Sequence, residues 1–178
     1  MATLSLQALN EVIQARQTLH GGTRGAPIML ADGTREGAAL NKACVVLMTA
    51  SLQAYIEDVF VAVSSQAFGH ALEGDQLKNY RQTWSRWGNP SSSNITLLFR
   101  RLGIDDVFEG LSWQRMPTPT LKRRLDNINQ VRNCIAHGSE LRLDGKAFSL
   151  SLANINRWKD SIEVFGRKFE IHASSKVR

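Results

Sequence analysis

Residues 117–138 read PTPTLKRRLDNINQVRNCIAHG. Thr118 offers a helix cap and Pro119 a first helical residue, where the missing proline N–H is not needed. Leu121, Leu125, Ile128, Val131 and Ile135 then recur at three- and four-residue spacing, the period of one apolar helix face. Gly138 supplies the stop. The stretch is an amphipathic helix, and its apolar face must be buried against other helices.

Working outward, the same period recurs on both sides. Leu6, Leu9, Val12, Ile13 and Leu19 predict a first helix from about Ser5 to His20, ended by Gly21-Gly22. About 21–35 is a Gly-rich loop, with Asp32-Gly33 as a turn that could close a small hairpin after Ile28-Met29-Leu30. A long helix follows from near Arg35 to Phe68, then one from Asp75 to Trp87. A short one from Asn94 to Leu102 is capped by Ser93. Beyond Gly138, residues Ser139 to Ser149 read as a charged loop or hairpin around Asp144-Gly145. A last helix runs from Leu150 to Ile171, and 173–178 is a loose basic tail. No repeat and no sustained strand alternation interrupts this. The expected fold is a single all-α domain over 1–178, an up-and-down helical bundle with short irregular insertions.

The chain has 178 residues, 43% hydrophobic and 21% charged, enough for one sizeable core and too apolar for a disordered chain. Residues Ala43 to Val63 could span a bilayer by length, but Gln53, Glu57 and Asp58 interrupt them, so a buried helix and no membrane partner are expected. Met1 to His20 lack a basic start followed by an apolar run, the pattern of a cytoplasmic chain. Cys44 and Cys134 have no partner at metal-ligand spacing and read as reduced thiols among apolar neighbours. The first ninety residues carry seven basic and seven acidic side chains, the remainder fifteen and nine. The whole net charge of +6 therefore lies in the second half. A localised basic excess suits a polyanion such as nucleic acid, and equally a merely solvated surface.

The chemistry-bearing cluster is Arg132-Asn133-Cys134-Ile135-Ala136-His137. Asn133 and His137 are four residues apart and share a helix face. Arg132 lies about 140° from His137 around an ideal helix, so the two need not touch but could converge on a ligand held in a groove, especially one formed with a second subunit. RNA cleavage without a metal needs a base for the ribose 2′-OH and a cation for the phosphate charge. An imidazole titrates near neutrality and suits the first task, and a guanidinium suits the second. Asn133 can hydrogen-bond the imidazole, the ribose or the phosphate. The residues alone leave a second reading open, a helix C-terminus where His137 donates to a carbonyl and Arg132 sits in a surface ion pair.

The segment resembles the R-N-x-x-x-H motif of HEPN domains (higher eukaryotes and prokaryotes nucleotide-binding). The likeness extends further. Residues Ala50-Ser51-Leu52-Gln53-Ala54-Tyr55-Ile56-Glu57-Asp58-Val59-Phe60 look like the early long helix of the RiboL-PSP-HEPN group. Asn89-Pro90-Ser91, Asn94-Ile95 through Leu98-Phe99, and Leu102-Gly103-Ile104-Asp105-Asp106-Val107 look like its middle region. Together these cover about residues 36 to 170. The resemblance implies a helical bundle that dimerises and places two Arg/Asn/His sets in one cleft. It also implies a metal-independent endoribonuclease, with RNA as partner and no cofactor, in phage defence or as the toxin of a toxin–antitoxin system. A cognate antitoxin or defence-system protein is then a further partner. Arg132, Asn133 and His137 carry over directly as catalytic residues. In that group an acid stands where this chain has Gln53. Glu57, one turn later, takes the supporting role in this reading, although Glu57 and Asp58 read equally as helix-surface acids. The alternative function is a non-catalytic HEPN module that binds RNA or a nucleotide, or serves as an assembly partner.

Lys122, Arg123 and Arg124 are candidate RNA-backbone contacts, and more often such a run is a solvated face; Arg100-Arg101 read the same way. Trp84, Trp87, Trp113 and Trp158 could stack bases, but core or interface positions are the commoner use. Gly21-Gly22-Thr23-Arg24-Gly25 lacks the preceding strand and the Lys-Ser/Thr ending of a phosphate loop. His20, His70 and His172 show no metal-ligand spacing, and Ser91-Ser92-Ser93 reads as loop and cap.

Overall fold

A computed structural model describes residues 2–19, 27–31 and 33–177. The expected stop at Gly21-Gly22, the Gly21–Gly25 segment, His20, Asp32 and Arg178 lie outside the described residues. Six helices are formed among the described residues: α1 (Gln7–Leu19), α2 (Ala38–Phe68), α3 (Gly74–Trp84), α4 (Ser92–Arg100), α5 (Thr118–Ala136) and α6 (Leu152–Ser174). One two-stranded hairpin, β1 (Arg142–Leu143) with β2 (Lys146–Ala147), joins α5 to α6. The protein is an all-α bundle with this one small insertion.

The centre of the bundle is α2, which packs against α1, α5 and α6. It is long and apolar enough to cross a membrane, but Cys44, Val45, Met48, Leu52, Ile56, Val59, Phe60 and Val63 along it are buried in the core. Tyr55 fastens α2 to α6 by donating its hydroxyl to the Gly166 carbonyl at 2.7 Å. Cys44 is fully buried, and burial pushes its thiol up to about 11, so it stays protonated and unreactive. The five apolar positions of α5 face inward, with Leu121, Leu125, Ile128 and Val131 buried and Ile135 packed at the edge. Leu19, placed in the α1 stripe by its spacing, is 49% exposed.

Several boundaries differ from the sequence expectation, each for a local reason. Residues 28–36 do form the small turn, with a Met29–Arg35 bridge and the Glu36 N–H bonded to the Ile28 carbonyl. Arg35 belongs to that turn, so α2 starts only at Ala38, after Gly37 at φ 73°. The third helix ends at Trp84, not Trp87. The cap of α4 is Ser91, whose hydroxyl accepts from the Asn94 N–H, and not Ser93. Asp126 sets that start from outside, taking the Ser92 N–H and hydroxyl at 2.8 Å each. Pro117 occupies the cap of α5, while Thr118 turns its hydroxyl to the Leu111 carbonyl. The hairpin turns on Asp144 (φ 50°) and Gly145 (φ 74°), the left-handed pair a tight two-residue turn requires.

The tail is the largest correction. Residues 173–177 are not loose: α6 continues to Ser174, Ala173 is fully buried, Val177 packs on the core and Lys176 pairs with Glu109 at 3.6 Å. Phe165, Phe169 and Ala173 are spaced one turn apart and carry the helix past the expected end at Ile171. A polar composition misled, because the buried residues there are few.

His172 lies in this final turn with Nε2 buried and unpartnered. Burial, then the charge of Lys176, hold its imidazole below the usual 6.5. A depressed histidine means the unfolded chain binds the proton more tightly. Its contribution to stability is complete above the unfolded value and is lost as pH falls through it. We expect the urea midpoint to drop between about pH 7.5 and about pH 5.5, with a shallower drop in His172→Asn. Equal slopes for the two proteins would rule this group out as the cause.

Candidate RNA-cleavage site

The α5 helix ends at Ala136, and His137 is its C-cap, at φ −95° and ψ 4°, with its N–H on the Asn133 carbonyl at 3.0 Å. Gly138 follows at φ 61°, and its left-handed backbone lets the Ser139 N–H return to the Cys134 carbonyl at 2.9 Å. The chain therefore turns away immediately after His137 and leaves its side chain exposed. Among the described residues the imidazole makes no hydrogen bond, which disposes of the reading in which it served to close the helix end.

Arg132 and Asn133 are half-buried. The Asn133 Oδ1 accepts from Arg132 Nη1 at 3.3 Å and from Asn89 Nδ2 at 3.1 Å. Asn133 is thus spent on orienting Arg132 and on tying α5 to the 85–91 segment; it does not bond the imidazole. Arg132 forms no ion pair among the described residues, so its charge is not neutralised by a carboxylate. The surface-ion-pair reading of Arg132 fails on that point.

Glu57 does not reach this cluster directly. Its Oε1 accepts from the Trp87 indole at 3.0 Å and from Gln53 Nε2 at 3.3 Å. Trp87 and Asn89 are two residues apart in one segment, so Glu57 holds one end of the strap whose other end holds Asn133. What Trp87 needs is an acceptor rather than a charge. Glu57→Gln should therefore melt close to wild type, whereas Glu57→Ala should cost about 1–2 kcal/mol by leaving the indole N–H unpaired. Thermal melts separate the two, and equal losses in both variants would mean that the negative charge matters.

The basic run divides between two directions. Lys122 bonds Asp106 at 2.7 Å and lies over the Phe108 ring at 5.4 Å. Arg124 donates to the Ser161 hydroxyl, and burial, then Arg157 and Arg123, hold its guanidinium below the usual arginine range. Arg123 is exposed and lines one pocket with Arg124 and Arg157. Arg100 bonds the Asp105 carbonyl in the following loop, and Arg101 bonds the Thr83 carbonyl in the last turn of α3. Trp84 and Trp158 are buried, Trp158 stacked on Phe148, while Trp87 and Trp113 pack against the core edge; neither Trp84 nor Trp158 has a face to offer a base. His70 bonds the Phe68 carbonyl and Gln76, away from the motif. Sequence reasoning gave no site role to Asn89, for which the Asn89-Pro90-Ser91 likeness was the available signal, and it weighed Trp87 only as a base stacker or a core residue.

The end of α5 thus carries an exposed imidazole and, five residues earlier, a half-buried guanidinium with no ion pair among the described residues, a proton acceptor and an anion stabiliser on one helix end. The sequence model of the RiboL-PSP-HEPN family matches residues 10–175, the whole of α2 to α6 and most of α1 included. No curated protein and no solved structure matches the chain. With a family match spanning nearly its full length and the bundle that the family implies, the chain belongs to the RiboL-PSP-HEPN family.

Proposed function

We propose that this protein is a metal-independent endoribonuclease that cuts RNA by attack of the ribose 2′-OH on the adjacent phosphate. The observation that carries the reading is that the end of α5 presents an exposed His137 ring together with an Arg132 that Asn133 holds and that no carboxylate among the described residues pairs. His137 takes the 2′-OH proton as the 2′-oxygen forms its bond to phosphorus. Arg132 stabilises the charge that gathers on the phosphate oxygens. The bond to the 5′-oxygen then breaks, leaving a 2′,3′-cyclic phosphate and a 5′-hydroxyl.

The leaving 5′-oxygen must receive a proton on the side opposite the base. In this reading a second copy supplies the acid from its own His137, in the homodimer with a composite cleft that the family resemblance implies. Arg123, one face of α5 away from the core, tracks the RNA backbone in this reading; Lys122 and Arg124 contribute through the local field. Phage defence or a toxin–antitoxin pair is the setting that the family resemblance favours, in the cytoplasm and with a cognate inhibitor or defence partner.

The test is incubation of total RNA with the purified protein in excess EDTA, followed by end-group analysis. Cyclic phosphate and 5′-hydroxyl ends support the reading. RNA binding without cleavage would favour the non-catalytic module, and 3′-hydroxyl ends would overturn the 2′-OH mechanism.

A further inference from the structure

A second cavity, of about 780 Å³, lies between the 27–36 turn, the start of α2 and the 149–152 entry to α6. Its size is within the roughly 300–1,000 Å³ range of small-molecule sites. Met29, Leu141, Leu150 and Leu152 give it apolar walls. Two polar side chains in its lining are more than nine-tenths buried: Arg16 at 4% exposure and Asn41 at 6%.

Neither is satisfied. Arg16 Nε is buried without a hydrogen-bond partner, and its guanidinium makes no ion pair among the described residues. It rests against Gly37, where a Cβ would come within 2.3 Å of Nε. That close approach explains why the left-handed Gly37 is needed there. Asn41 donates to the Leu150 carbonyl at 3.0 Å, which fixes the amide and leaves Oδ1 buried and unpartnered. An arginine cannot shed its proton to escape burial. A buried guanidinium whose Nε has no partner, and which meets no carboxylate among the described residues, is costly, and an anion in the cavity would relieve that cost. Arg35 and Lys42 add positive charge at the lining, against Glu36.

We propose that this cavity binds a small organic anion, its carboxylate or phosphate on Arg16, a donor of the same ligand on Asn41 Oδ1, and its apolar body against Met29, Leu141 and Leu150. The site is separate from Arg132 and His137 and does not depend on the cleavage reading.

The experiment is titration of the full-length protein with phenylacetate, phenyl phosphate and uncharged 2-phenylethanol, followed by amide chemical shifts and melting temperature. Saturable binding of at least one anion is expected, with shifts at Ala38, Asn41 and Leu150. Which anion binds identifies the head group. Arg16→Met should weaken that binding at least about tenfold. The same change should leave the unliganded protein as stable as wild type or raise its melting point by roughly 2–4 °C, since it removes an unpaired buried charge. A purely structural arginine would give the opposite stability change. If Arg16→Met fails to fold, the wild-type titration decides. No anion binding, or equal binding of the uncharged probe, overturns the proposal.

Discussion

Replacing His137 with alanine is expected to slow RNA cleavage by roughly 10²- to 10⁴-fold, the usual worth of a positioned general base, with no change in melting temperature. The stability half follows from the fold. His137 caps α5 through its backbone alone, and its exposed ring bonds nothing among the described residues. Surface changes of that kind normally stay within about 0.5 kcal/mol. Arg132→Ala should cost about 10²- to 10³-fold, as loss of one transition-state donor does. Arg132→Lys should recover only part, because the forked guanidinium is what Asn133 orients. The double variant should fall little below the worse single one, since base and charge stabiliser act in one step. Asn89→Ala offers a finer check. It removes the donor that fixes Asn133 and should lower the rate while His137 keeps its solvent-facing place. Initial rates on one RNA substrate would settle all five. His137→Ala cleaving at the wild-type rate would remove the catalytic assignment altogether.

What could be read from the sequence, and what could not, divides along physical lines. The 3.6-residue period marks faces, so the inward side of α5 and the bundle were legible from Leu121, Leu125, Ile128 and Val131. The motif was legible because its residues are local. Contacts between segments were not. Asn89 meets Asn133 across 44 positions and Glu57 meets Trp87 across 30, and periodicity carries no information about which faces touch. Helix starts failed for the same reason. Any of three serines could cap α4, and it is Asp126 from α5 that fixes the start by taking the Ser92 N–H. How the basic run is used was not legible either, because it depends on what each cation meets: Lys122 turns to Asp106, while Arg123 and Arg124 line one pocket with Arg157 from α6.

Phe60→Ala is expected to destabilise the protein by about 3–5 kcal/mol, the usual cost of emptying a buried aromatic site. Phe60 is fully buried at the point where α2, α3 and α4 meet. Its ring lies 5.2 Å from Trp84 and 5.4 Å from Phe99, both edge-on, and 6.0 Å from Tyr80, stacked. Alanine removes all three ring contacts at once, and three helices cannot collapse on the gap together. With total stability on the order of 5–15 kcal/mol, a melting drop of about 6–20 °C should follow. Phe60→Leu keeps most of the volume and should cost less than half as much. The consequence reaches the site, because α3 and α4 bound the 85–91 segment that brings Trp87 to Glu57 and Asn89 to Asn133. Well below its melting point, Phe60→Ala should therefore bind RNA normally yet cleave more slowly, while Phe60→Leu cleaves near the wild-type rate. Slow cleavage in a fully folded Phe60→Ala protein would trace Arg132's orientation back, through Asn133 and Asn89, to the aromatic core. An unchanged rate would mean that the strap is held by Glu57 and Asn133 alone.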